Sequence, residues 1–166
     1  EMSEKDPLTS LYNRRATKKH IDNFLESTKE DTTSSHAFII LDLDNFKTLN
    51  DTLGHIMGDI ALQEFALKLV ECFKNQSIIG RLGGDEFINF LTYISSKNEL
   101  KEILKKILND FSVTYCHSDI SVGISASVGV AIAPQDGNTF QELYKKSDIA
   151  LYNIKNASKN NFSFYK

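Results

Sequence analysis

The chain has 166 residues, of which 41% are hydrophobic, 25% charged and 10% aromatic. A chain of that length and composition supports one domain with a core of its own and excludes a disordered tail, a collagen-like fibre and a disulfide miniprotein. Nineteen basic against 22 acidic residues leave a net charge of −3, which advertises no nucleic-acid surface, and no apolar run approaches the ~20 residues that span a bilayer.

The first residues, Glu1 to Asp6, lack the basic and apolar regions of a signal peptide. Asn13 to Leu25 is predicted as a helix with Ile21, Phe24 and Leu25 on one face, and Thr28 to Ser35 as a polar loop. Ala37 to Leu41 is continuously apolar, the pattern of a strand buried on both faces, and it ends in Asp42-Leu43-Asp44-Asn45. A short helix is predicted over Phe46 to Leu53 with Gly54 as its stop, and a longer one from Asp59 to about Phe73. Ser77 to Leu82 and Glu86 to Leu91 read as a hairpin around Gly83-Gly84. Asn98 to Leu108 has helical spacing, and Phe111 to Val122 holds one or two strands with a turn near His117. Ile124 to Ile132 is a strand, Pro134 to Gly137 a loop, Thr139 to Asn156 a helix and Asn161 to Tyr165 a closing strand. The alternation of strands and helices predicts helices packed on a central sheet. Cys72 and Cys116 stand alone in sequence, suit a reducing compartment and are expected to pack as small core residues.

Three features can carry chemistry. Asp42 and Asp44 sit where an apolar strand gives way to a helix start, a place that holds metals through carboxylates and anions through free amides. A helix cap and a solvated turn explain them equally well. Asp85 and Glu86 follow a glycine turn that lets a phosphate approach the backbone, and strand alternation sends the two acids to opposite sides. A polar hairpin tip is the plainer account. Lys155 and Lys159, four apart, share a helical face, and cations in a last turn also complement the helix dipole. Together, hard carboxylate oxygens, a glycine turn and two lysines are what Mg²⁺-dependent chemistry on a nucleoside triphosphate requires.

Arg81-Leu82-Gly83-Gly84-Asp85-Glu86-Phe87 resembles the signature of the GGDEF family, the diguanylate cyclases. Four further stretches resemble the family in order: Asp6 to Arg15, with Ser10 in place of the usual glycine; Asp42 to Lys47 with Asn50-Asp51, Gly54-His55 and Gly58-Asp59; Ser127 to Ala131; and Ser147 to Tyr152. The resemblance runs from Asp6 to about Phe164. It implies an α+β fold, a mainly antiparallel five-stranded central sheet flanked by helices, like class III nucleotide cyclases and the polymerase palm. It implies condensation of two GTP into cyclic di-GMP and two pyrophosphates, with one GTP on each protomer of a homodimer.

Carried onto this chain, the resemblance makes Asp42, Asp85 and Glu86 catalytic. Asp42, the Leu43 carbonyl, Asp85 and Glu86 would hold two Mg²⁺ or Mn²⁺ ions per site. Asn45 and Phe46 would offer backbone amides to phosphates, as would Gly83 and Gly84, and Lys155 would hold the terminal phosphates. Lys159 replaces the family's arginine and Ser158 its glycine, which removes a bidentate fork. Asn50 and Asp59 would read guanine, since a carboxylate accepts from N1–H and N2–H together; Leu11 and Leu62 would line the base pocket or simply pack in the core. His55 is expected to hydrogen-bond the turn before Asp59, and Arg81 to support the glycine turn or meet a neighbouring chain. The inhibitory Arg-x-x-Asp motif of many relatives is Lys74-Asn75-Gln76-Ser77 here, so product inhibition at that primary site is expected to be weak or absent. The domain is expected to belong to a longer signalling protein, with an upstream sensor or dimerisation element. Its expected place is the bacterial cytoplasm, alone or as the cytoplasmic part of a membrane-anchored sensor, with no nucleic-acid or membrane contact of its own. The rival reading is a non-catalytic module that binds GTP or cyclic di-GMP.

Overall fold

The continuous apolar run becomes the centre of the sheet. In the computed structural model, which describes residues 3–73 and 76–166, His36–Asp44 forms β1, buried along almost its whole length. It pairs antiparallel on one side with β3 (Glu86–Leu91) and on the other with β5 (Ile120–Ala133). β2 (Ser77–Gly83) lies outside β3, and β4 (Val113–His117) outside β5, both antiparallel. The order is β2-β3-β1-β5-β4, and β6 (Phe162–Phe164) joins β5 in parallel. The sheet thus has six strands rather than five. The reason is the length of β5: its outer edge takes β4 along Ile120–Ile124 and β6 along Val128–Val130.

Side-chain alternation along β1 feeds two cores. Phe38 and Ile40 face α1 (Arg14–Ser27) and α5 (Phe140–Ser158), meeting Ile21, Leu143, Ile88 and Phe90. Ile39, Leu41 and Leu43 face α3 (His55–Cys72) and α4 (Lys97–Asp110), meeting Phe65, Leu69, Leu104 and Phe87. Each such large apolar side chain contributes about 1.5–3 kcal/mol on burial. α5 lies close on β5: a Cβ at Gly129 would fall 2.1 Å from the Ser147 carbonyl oxygen. That contact sets the height of α5 above the end of β1.

Helix ends follow their caps. Asn13 caps α1, its side chain accepting from the Ala16 amide at 2.9 Å. α2 (Phe46–Leu53) stops at Gly54, but α3 starts at His55 rather than at Asp59. One glycine at φ 92° both ends α2 and caps α3, so no gap separates them. β5 likewise begins four residues before Ile124, where alternate residues are exposed and the apolar pattern is diluted. Cys72 is partly buried against the α3/α4 core, and burial pushes its thiol up. Cys116 is exposed on β4, so only one of the two cysteines serves the core. Of the Lys74 to Ser77 stretch, residues 74 and 75 lie outside the described residues.

Candidate active site

The site forms where β1 outruns β3. The β1–β3 ladder ends at Asp42 opposite Glu86, while the β1–β5 ladder continues to Asp44 opposite Ser125. Two residues of β1 therefore leave the sheet on the β3 side. The Gly83–Gly84 turn fills the corner, with Gly83 at φ 138°, which only glycine adopts without strain, and Gly84 in the left-handed region at φ 51°. Asp85 belongs to this turn and Glu86 is the first residue of β3. Strict alternation therefore does not apply to the pair: both acids lie close enough to Asp42 to feel its charge.

Asp42 is mostly buried. Lys155 Nζ donates to its Oδ2, while Oδ1 is buried with no partner among the described residues. Burial pushes Asp85 up, and the adjoining Asp42 carboxylate pushes it further, to about 7. Glu86 is raised by burial too, partly offset by the bond that the Tyr144 hydroxyl donates to its Oε1 at 2.7 Å. Burial opposes the charge of Lys155, but the bond to Asp42 and the nearby Asp85 and Asp44 hold its pKa above the usual value. The corner thus carries an excess of acid that one lysine does not balance. A buried orphan carboxylate oxygen beside a second carboxylate fits a hard divalent cation. No group of three or more His, Cys, Asp or Glu gathers among the described residues. A two-carboxylate set suits Mg²⁺, which keeps waters and phosphates in its shell. Leu43 is 2% exposed with its side chain in the core, so only its carbonyl is available.

Asp44 has a different task. Its carboxylate accepts from Ser125 Oγ and Ser127 Oγ, both at 2.7 Å, and from the Asn160 amide at 3.0 Å. It ties the end of β1 to β5 and to the chain leaving α5. Asn45 is at φ 67° and heads α2, its Nδ2 donating to the Gly123 carbonyl at 3.1 Å. Phe46 is the first residue of α2 and packs partly on the core.

Asn50 and Asp59 come together through Gly58. A Cβ at Gly58 would sit 1.8 Å from Asn50 Oδ1, so the Asn50 carboxamide lies against the α3 backbone one residue from exposed Asp59. Leu62 and Leu11 are core residues at 2% and 8% exposure. Lys155 is engaged with Asp42. Two expectations need correction. Lys159 caps the C-terminus of α5 and lies outside the helix, so it does not share a helical face with Lys155. His55 is exposed at the start of α3, and its ring makes no hydrogen bond among the described residues, because the helix begins at His55 and leaves no turn there to brace. Of the two roles for Arg81, turn support is the one observed: Nε donates to the Gly84 carbonyl at 2.9 Å. Tyr144 gave no signal in sequence beyond an apolar helix position.

A mainly antiparallel sheet with carboxylates at the end of its central strand and on the neighbouring hairpin is the palm-like fold of nucleotide cyclases. The chain belongs to the GGDEF family: residues 3–161 match the model described as diguanylate cyclase, GGDEF domain. Signaling protein YkoW of Bacillus subtilis is 37% identical over 165 residues, 99% of this chain and 20% of that protein. The bifunctional diguanylate cyclase/cyclic di-GMP phosphodiesterase MucR of Pseudomonas aeruginosa is 34% identical over 160 residues, 96% of this chain and 23% of that protein. The chain therefore spans about a fifth of the length of these relatives. The solved GGDEF domain of TpbB (YfiN) from Pseudomonas aeruginosa has a TM-score of 0.88 at 29% identity, covering 98% of this chain and 94% of that one. No helix among the described residues is long and apolar enough to cross a membrane.

Proposed function

We propose that this domain condenses two GTP molecules into cyclic di-GMP and two pyrophosphates. The observation that carries the reading is the acid pair Asp42 and Asp85 at the glycine turn, with the buried and unpartnered Asp42 Oδ1. Asp42, the Leu43 carbonyl, Asp85 and Glu86 are the groups that would hold Mg²⁺ or Mn²⁺, two ions per site. Such ions activate an attacking hydroxyl and stabilise the leaving phosphate.

The protein's own groups supply the rest. Backbone amides at Asn45 and Phe46 and at the Gly83–Gly84 turn face the phosphates. Asn50 and Asp59 take the guanine edge; adenine would leave the Asp59 carboxylate without donors. Lys155 and Lys159 bring positive charge to the terminal phosphates, Lys155 by exchanging its Asp42 partner for phosphate oxygen. In the reaction the 3′-oxygen of each GTP forms a bond to the α-phosphorus of the other. Each time, the bond to pyrophosphate breaks and the 3′-hydroxyl proton passes to a carboxylate, Asp85 or Glu86. Each domain binds one GTP, so catalysis takes place between two copies. A sensor or dimerisation element elsewhere in a longer cytoplasmic signalling protein would bring them together. Lys74 to Ser77 lacks Arg-x-x-Asp, which supports weak or absent product inhibition at that site.

The test is incubation of the concentrated domain with GTP and Mg²⁺, followed by chromatography of the nucleotides. Cyclic di-GMP that disappears with Asp85→Ala supports the reading. A second reading is a non-catalytic module that binds GTP or cyclic di-GMP, and PdeR of Escherichia coli, 30% identical over 164 residues and named only as a cyclic di-GMP phosphodiesterase, favours keeping it. GTP binding without product, even after a coiled coil is fused ahead of Glu1, would select the module.

A further inference from the structure

Among the described residues, the Tyr144 hydroxyl is the one side chain that donates to the Glu86 carboxyl, at 2.7 Å from Oε1. The hydroxyl is well anchored. The Tyr144 ring stacks on Phe140 at 5.8 Å and 16°. Phe140 in turn packs edge-on against the fully buried Phe38 at 5.3 Å. Across the ladder, Glu86 stands directly opposite Asp42, which takes Lys155 from the far end of the same helix. Tyr144 and Lys155 are about three helical turns apart and so share a face of α5. One rigid helix therefore reaches two facing acids from opposite ends, with a neutral donor for one and a cation for the other.

We propose that Tyr144 is a positioning residue: its hydroxyl holds Glu86 Oε1 and leaves Oε2 free to act at the Asp42–Asp85 pair. This rests on the reading of Glu86 as part of the cation- and proton-handling group. A carboxylate at the start of a strand, beside a glycine turn, has side-chain torsions that the backbone alone does not restrain. A donor fixed through two aromatic rings supplies that restraint. The ring and the hydroxyl have separable tasks, since the ring packs and the hydroxyl orients.

Tyr144→Phe keeps the ring and removes the donor. The probe is Mn²⁺ followed by electron paramagnetic resonance, with a non-hydrolysable GTP analogue present so that no turnover is needed. Tyr144→Phe should melt within a few degrees of the wild type and bind Mn²⁺ roughly tenfold more weakly, the size of one hydrogen bond to a charged group. Glu86→Ala should also weaken Mn²⁺, and the double variant should be no weaker than Glu86→Ala alone, because Tyr144 acts through Glu86. A Tyr144→Phe isotherm that overlays the wild type, or effects that multiply in the double variant, would overturn the proposal. The cyclase reading fails separately: wild type that binds Mn²⁺ but makes no cyclic di-GMP, even with the coiled coil fused ahead of Glu1, removes that reading, while the Mn²⁺ cycle still decides the role of Tyr144. Wild type that binds no Mn²⁺ overturns both.

Discussion

Arg81 and Asp6 lie 75 residues apart in the sequence and 3.0 Å apart in space, as a largely buried ion pair. The same guanidinium donates through Nε to the Gly84 carbonyl, and the other Asp6 oxygen accepts from the Thr9 amide and hydroxyl. One side chain thus ties the N-terminal segment to the turn that carries Asp85. Removing one partner of such a pair strands the other. Arg81→Ala should cost about 2 kcal/mol in a denaturant melt, and a cycle with Asp6→Ala should give a coupling of about 1 kcal/mol or more. Arg81→Lys should not rescue, since a point charge cannot serve Asp6 and the Gly84 carbonyl together. Full stability of Arg81→Ala would show that backbone contacts hold the turn alone.

The raised pKa of Asp85 makes a prediction about pH. In the unfolded chain its carboxyl loses its proton near the ordinary value of 3.8; in the folded, metal-free protein it does so at about 7. Between those values the folded state binds more protons than the unfolded one, so stability falls as pH rises. Asp85→Asn removes this dependence. Relative to wild type in EDTA, the variant should be equal near pH 4 and more stable by on the order of 1–2 kcal/mol at pH 8. Parallel pH profiles for the two proteins would show that neither burial nor Asp42 raises the Asp85 carboxyl.

Gly58 separates folding from recognition. In a helix, alanine is favoured over glycine by about 0.5–1 kcal/mol. Here the new Cβ would fall 1.8 Å from Asn50 Oδ1, the end of a flexible side chain that can swing away. Gly58→Ala should therefore hold or raise the melting temperature while raising the KM for GTP roughly tenfold, through loss of an Asn50 hydrogen bond to guanine. An unchanged KM would remove Asn50 from the base pocket.

What could be read in the sequence had local causes. β1 was visible because burial on both faces leaves an unbroken apolar run, and its acidic end marked the site. The hairpin was visible from paired glycines. What was hidden depends on distant neighbours. Asp44 looks like a second ligand until Ser125 and Ser127 on β5 are found to claim it. Tyr144 looks like core until α5 is laid over β3. Lys159 looks helical because the spacing from Lys155 is right, but α5 ends one residue earlier. The role of Arg81 required knowing that Asp6 folds back beside β2.

Asn89 shows a cost that the sequence also conceals. It sits in β3 between Ile39 of β1 and Ile79 of β2, wholly buried, and neither Oδ1 nor Nδ2 has a hydrogen-bond partner among the described residues. Its neighbours two residues away, Phe87 and Leu91, point into the α3/α4 core, so the amide faces apolar surroundings. An unsatisfied buried amide costs about 1–3 kcal/mol, whereas a β-branched side chain suits a central strand. Asn89→Val should therefore stabilise the domain by about that amount and raise the melting temperature by roughly 2–10 °C. Asn89→Asp should destabilise it strongly, because a charge there has no partner. The strand leads away from Asp85 and Glu86, so turnover at low temperature should not change in Asn89→Val. A melting temperature that stays or drops in that variant would mean that the amide is satisfied by a buried water, and a high-resolution crystal structure would then show that water beside Oδ1.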